Sequence, residues 1–292
     1  MTAELFIQAE CILGESPMWH KERNSLWWVD IEAGIFFECN IETKIIKKWR
    51  VQQSLSLLVQ SAKNSNTLIL AVSDGLLQFN IDKNEFERIL FIEKNLATNR
   101  TNDGGCDANG RLWLGTMDIT CAQGAGKLYC IGNDLQVNEK IETTSISNGL
   151  CWSLAQDRFY YIDSATYKVD SYFFDIKTAE IIFEKTVVEI PEDFGMPDGM
   201  AMDEEGMLWI ANWGGFTVNR WNPVNGVLLE VIVLPVPNVS SCAFGGENMD
   251  LLFITTARSG LSDVELEEYP LSGGVFVAYT TVAGKSKNKC SL

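Results

Sequence analysis

The sequence predicts an all-β fold, a six-bladed β-propeller, on three observations. A polar turn leading into an apolar or aromatic strand recurs six times along the chain. The recurrence interval is ~40–50 residues, the blade period of a propeller. Each of these strands is followed by a segment that reads as two further strands around a short polar turn, and helical periodicity is weak throughout.

The turn-plus-strand units are, in order, "KERNSLWWVDI" from Lys21, "AKNSNTLILAV" from Ala62, "DANGRLWLGTM" from Asp107, "AQDRFYYIDS" from Ala155, "DEEGMLWIANW" from Asp203 and "GENMDLLFITTA" from Gly246. The following hairpins include "GIFFECNIETKIIKKWRV" from Gly34, "GLLQFNIDKNEFERILF" from Gly75 and "KLYCIGNDLQVNEKIE" from Lys127, most with Asn, Asp or Gly at the turn. Together they suit six four-stranded blades. Two stacked β-sandwiches are the competing architecture, which the regular spacing disfavours. No Pro-, Gly- or Ser-rich linker divides the chain, so residues 1–292 are expected to form one propeller domain. The first strand, "ELFIQAE", is expected to close the ring beside the last blade and remove exposed edges. "SGLSDVELEEYP" reads as a single helical turn or a loop.

Composition narrows the function. A formal net charge of −16 opposes binding to nucleic acid or to an anionic membrane. The basic cluster Lys285, Lys287 and Lys289 reads as a solvated terminus. The N-terminal stretch lacks a basic region followed by an apolar core, and no apolar run reaches the roughly 18 residues of a membrane span. The eight cysteines form no C-x-x-C pair. They are expected to be free, mostly buried thiols of a cytoplasmic protein. Oligomeric state is not legible, and a monomer is compatible with everything above.

There is one histidine, His20. It disfavours a His-bearing zinc site of the usual kind and restricts any Ser-His-Asp triad to this residue. No nucleophile elbow, P-loop or dinucleotide fingerprint is present. Carboxylates, amides and a metal remain as chemical tools.

Three stretches share an anomaly. "LGESPMW" carries Glu15, "SISNGLCWS" carries Asn148 and "MPDGMAM" carries Asp198. Each sets an oxygen-bearing side chain beside Gly or Pro, ahead of apolar residues, near the axial end of a blade's inner strand. Singly each is a turn residue or a surface charge. Jointly, on different blades, they are expected to converge in the central channel. Two carboxylates confined there repel unless a cation lies between them. An all-oxygen set with a neutral amide suits one divalent ion: calcium, magnesium, manganese, zinc or iron(II). "NRTNDGGCDANG" adds Arg100, a candidate donor to substrate oxygens. In the same stretch Asp103 and Asp107 read as turn formers, and Asp118, after "LGTM", reads as a loop residue.

These stretches also carry a family resemblance. "LGESPMWH" with "LWWVDI", "RTNDGGCDANGRLWLGTM", "ISNGLCWS" and "PDGMAMDEEGMLWIANWGG" stand in the order found in the SMP-30/gluconolactonase/regucalcin-like family. "LPVPNVSSCAFGG" with "LFITTARSGLS" and "YPLSGGVF" resembles its bacterial sugar (aldono)lactonase branch. The resemblance implies a six-bladed propeller with one divalent metal held by Glu15, Asn148 and Asp198, and substrate contacts from Arg100 and Asn102. Some relatives place an acidic substrate-binding residue shortly after "GTM"; Asp118 follows it directly, at a different offset. The implied activity is hydrolysis of an aldonolactone, such as xylono-, arabinono- or gluconolactone, to its aldonic acid. The cation would polarise the carbonyl, and Asp198 would serve as general base. A non-catalytic calcium-binding or protein-interaction propeller is the alternative.

Overall fold

The computed structural model describes residues 1–292 as six four-stranded antiparallel sheets. The first blade comprises Gly14–His20, Ser25–Asp30, Ile35–Asn40 and Ile46–Arg50. The innermost strands of the next five blades are Leu55–Gln60, Asn99–Cys106, Ser147–Trp152, Met196–Met202 and Val239–Gly245. Each packs against the innermost strands of its two neighbours, which closes the ring around a channel. The last sheet takes its outer strand from the other end of the chain: Glu4–Ile7 pairs antiparallel with Val275–Tyr279. The N-terminal strand thus closes the ring, as its sequence position predicts. The one α-helix, Asp263–Glu268, is a short turn capped by Ser262 and Glu265.

The strands named by the repeat are the second strands of the blades, buried on both faces. In "LWWVD", Trp27 and Val29 join a cluster with Leu55, Leu68 and Phe79 of the second blade. Leu26 and Trp28 point the other way, to Phe253 and Val275 of the last blade. Six such clusters fill the six interfaces between neighbouring blades. A period-2 strand between two neighbours needs apolar residues on both faces, which explains the continuous apolar runs.

Every innermost strand carries a register shift near its start: Glu15/Met18, Leu55/Leu57, Thr101/Gly104, Ser147/Leu150, Pro197/Met200 and Val239/Ser241. Such bulges bend a strand and re-aim side chains. Here they form a ring at one level of the channel. Two glycines at that level do not make turns. A Cβ on Gly149 would lie 2.7 Å from the Asp198 carbonyl oxygen, and one on Gly199 would lie 2.1 Å from Ser241 Oγ. Glycine is required there because the next blade's inner strand comes so close.

The C-terminal segment is not a solvated tail. It crosses the far ends of the inner strands, where Lys285 N donates to Met202 O (2.9 Å), Asn288 Nδ2 to Cys106 O (3.0 Å) and Cys290 N to Gln60 O (2.8 Å). Lys285 Nζ donates to Trp152 O (3.0 Å), and burial lowers its pKa. Cys290 and Leu292 enter the core between the second and third blades. These are long-range contacts that no local sequence pattern encodes. The eight cysteines are free, and only Cys121 is exposed. No helix is long and apolar enough to cross a membrane.

Two blades repeat an Asp-to-Trp device. Asp107 Oδ2 accepts from Trp113 Nε1 (3.0 Å) and Arg111 Nε (2.6 Å). Asp203 Oδ2 accepts from Trp209 Nε1 (2.9 Å) and Arg220 Nε (2.8 Å). In each, the same carboxylate's Oδ1 accepts two or more backbone N–H bonds of its turn. Removing Asp203 strands a buried guanidinium and an indole N–H. Asp203→Ala should therefore lose about 3–5 kcal/mol of unfolding free energy in urea titrations.

Candidate active site in the channel

Glu15, Asn148 and Asp198 lie within the register shifts of three inner strands, near the same end of the channel. They line one cavity of ≈ 400 Å³ together with Arg100 and Asn102. Glu15 and Asp198 are 7% and 8% exposed. The approaches to this level are fixed by second-strand aspartates. Asp30 accepts from Ile12 N (2.8 Å) and Leu13 N (3.1 Å), just ahead of Glu15. Asp163 accepts from Ser145 N (2.8 Å) and Ile146 N (2.9 Å), just ahead of Asn148. These two positioning residues escaped the sequence reading, although "VDI" and "IDS" end two of the repeated strands.

Glu15 Oε2 accepts from Ser16 N (2.8 Å), and Ser16 adopts a left-handed φ of 49°. The Asn148 amide is held from both sides. Its Nδ2 donates to Ser164 Oγ (2.7 Å), and its Oδ1 accepts from Asn102 Nδ2 (3.0 Å). This fixes which end of the amide is oxygen and leaves that oxygen a second lone pair. Asn102 Nδ2 also donates to Ser147 O (2.8 Å), while Asn102 Oδ1 accepts from Arg100 Nη1 (2.6 Å). Both amide hydrogens of Asn102 are thereby engaged, so it ties Arg100 to Asn148. Arg100 Nη1 also donates to Thr101 O (2.9 Å), whereas its Nε and Nη2 make no bond within the protein.

Asp118 is not brought to this cavity. It ends the strand Leu112–Asp118, and its Oδ1 accepts from Thr120 N (2.7 Å) and from the Thr120 hydroxyl. These bonds hold its pKa below the ordinary value. His20 sits at the opposite end of its strand from Glu15, with Nε2 2.8 Å from Ser65 O.

Asp103, expected in a turn, is instead part of the strand Asn99–Cys106, inside the register shift. Its Oδ1 accepts from Gly104 N (2.6 Å). "NDGG" resembles a turn, and only the cross-strand register shows that this segment is a bulge. Asp107 does make its turn, accepting at Oδ1 from Asn109 N (2.9 Å) and Arg111 N (3.1 Å).

The electrostatics are those of crowded acids. Burial pushes Glu15 up to about 8, with the nearby Asp103 carboxylate acting in the same direction. Asp198 rises well above the ordinary range, through burial first and then through Glu15 and Asp103. No Lys, Arg or His nitrogen lies within 4.0 Å of any of the three carboxylates. No group of three or more His, Cys, Asp or Glu side chains suited to a metal occurs. The donor set here is two carboxylates and one oriented amide oxygen. That set fits a hard divalent cation, because both buried carboxylates lack a direct ion pair, with the Arg100 charge nearby, and the amide presents oxygen.

Comparisons with known proteins agree on a family. A model described as the SMP-30/gluconolactonase/LRE-like region matches residues 13–258. Regucalcin of Oryctolagus cuniculus is 34% identical over 281 residues, covering 92% of this chain and 93% of its own. YvrE of Bacillus subtilis (strain 168), named as a sugar lactone lactonase, is 31% identical over 284 residues and covers 97% of each chain. The solved structure of a luciferin-regenerating enzyme superposes with a TM-score of 0.93 at 30% identity, covering 99% of this chain and 100% of that one.

A pH dependence follows for the protein in chelator. Unfolded, Glu15 releases its proton near 4.5; folded, it keeps it up to about 8. The folded state therefore binds more protons in this window, so its stability should fall as pH rises from about 4.5 to about 8. Asp198 shifts in the same direction and adds to the fall. Urea midpoints measured across this window should drop in chelator and flatten with saturating divalent cation. A rise with pH in chelator would contradict the assignment.

Proposed function

The chain belongs to the SMP-30/gluconolactonase/LRE-like family, and from that premise we propose that it is a sugar lactonase acting with one divalent cation. Its substrate is a sugar-derived lactone, opened to the aldonic acid; xylono-, arabinono- and gluconolactone are the candidates to test. The observation that carries this reading is the pair Glu15 and Asp198. They are buried in one cavity with an oriented amide oxygen and without a direct ion pair. Glu15, Asn148 and Asp198 would hold the cation.

A bound cation supplies polarisation of the lactone carbonyl and makes water more acidic. Asp198 accepts the proton of the attacking water and returns it to the ring oxygen as the acyl C–O bond breaks. A cation held by Asp198 would lower the proton affinity that burial raises, so the acidity the ion lends to water would share the work of the base. Arg100 directs its free Nε and Nη2 donors to substrate oxygens, steadied through Nη1 by Asn102 and Thr101.

Aldonolactone opening releases a proton, so a pH-indicator assay reads it directly. A lactone panel should be hydrolysed with added calcium, magnesium, manganese or zinc and not after chelation. Asp198→Ala should lower the rate by about 10²–10⁴-fold with an unchanged circular dichroism spectrum. A well-folded Asp198→Ala protein with near-normal hydrolysis would remove the proposed base.

A further inference from the structure

The far end of the channel is closed by the C-terminal segment, and one of its lysines points inward. Lys287 Nζ donates to Pro17 O (3.0 Å), a carbonyl inside the first inner strand, two residues beyond Glu15. Below the ring of bulges lies a second cavity of ≈ 80 Å³, which Lys287 and Asp103 both line, with Lys285 and Asn288 at its edge. That volume holds several waters. Asp103 makes one hydrogen bond, to Gly104 N, and the Lys287 ammonium makes one of the three it is built for. The two groups line the same cavity without a direct ion pair.

The charges sort into two layers. Glu15 and Asp198 line the first cavity, whereas Asp103 lines the second, close enough to raise both of them. Lys287 is the cation that faces Asp103 from that side, and its charge also reaches Glu15. Arg100 lies on the open side, with Glu15, Asp198 and Asn148.

We propose that Lys287 is a built-in counter-cation: carried to the far end of the channel by the C-terminal segment, it neutralises Asp103 through the shared cavity and leaves Glu15 and Asp198, with Arg100 beside them, as the acids that a divalent ion balances. It is a positioning residue, remote from the substrate side. Without it the three acids would face only the Arg100 charge in the empty protein, so the site would bind cation more tightly and the cation-free protein would be less stable. The segment from Gly284 to Leu292 therefore does more than cover a hole, since it sets the charge of the site from behind.

The effect on cation affinity rests on the divalent-ion reading above; the effect on the cation-free protein does not. The test is a double-mutant cycle in the full chain, Lys287→Met, Asp103→Asn and both together. Calcium and manganese titrations by calorimetry give the first readout, and thermal melting in chelator gives the second. Lys287→Met should tighten cation binding by about tenfold or more, the order expected when a unit charge is removed near a divalent ion. Asp103→Asn should weaken it by a similar factor, and the double variant should return close to wild type. In chelator Lys287→Met should melt several degrees lower, with most of the loss recovered when Asp103→Asn is added. A lysine that merely packs and hydrogen-bonds Pro17 would give no opposite signs and no rescue, and that result overturns the proposal. A wild-type chain that binds neither cation would remove the divalent-ion reading alone, because the melting cycle still decides the Lys287–Asp103 pair.

Discussion

The burial of two carboxylates, Glu15 and Asp198, in one cavity is the constraint on which the rest of the structure turns. Taking a carboxylate out of water costs several kcal/mol, a large part of the ~5–15 kcal/mol that keeps a domain folded. A chain that brings two carboxylates together away from water needs a rigid frame to hold them and a positive charge to relieve them. The frame is visible at each level. Six apolar clusters lock neighbouring blades, the N-terminal strand closes the ring, and the bulges aim the acids at one cavity. The relief is not a direct ion pair with any protein cation, which leaves an oxygen-lined place for a divalent ion.

The two ends of the channel have different characters. The open end carries the oriented amide and an arginine with unused donors, the equipment for handling an oxygen-rich small molecule. The other end is crossed by the C-terminal segment, whose backbone bonds to two inner strands and whose side chains bond to three more. Asn102 links the functions at the open end, since the same amide steadies both Arg100 and the oxygen of Asn148.

Much of this was legible in the sequence, and the limits have physical causes. The repeated turn-plus-strand units show the blades because buried second strands need unbroken apolar runs such as "LWWVD" and "LWLGTM". Glu15, Asn148 and Asp198 stand out because polar atoms beside Gly or Pro interrupt an apolar context. Asp103 did not stand out, because a bulge and a turn use the same residues and differ only in the partner strand's register. Gly149 and Gly199 admit a neighbouring strand, a role that no local pattern shows. The tail lysines were misread because charge and terminal position describe a solvated end, while their destination depends on contacts more than a hundred residues distant. Asp118 shows the converse. A residue near a family motif can serve its own turn and stand outside the cavity.

The most direct test of the central claim is crystallographic. Crystals grown with manganese should give a single strong anomalous peak in the channel, within coordination distance of oxygens from Glu15, Asn148 and Asp198. A map with no peak there, or with the Glu15 and Asp198 carboxylates turned to separate regions, would contradict the account.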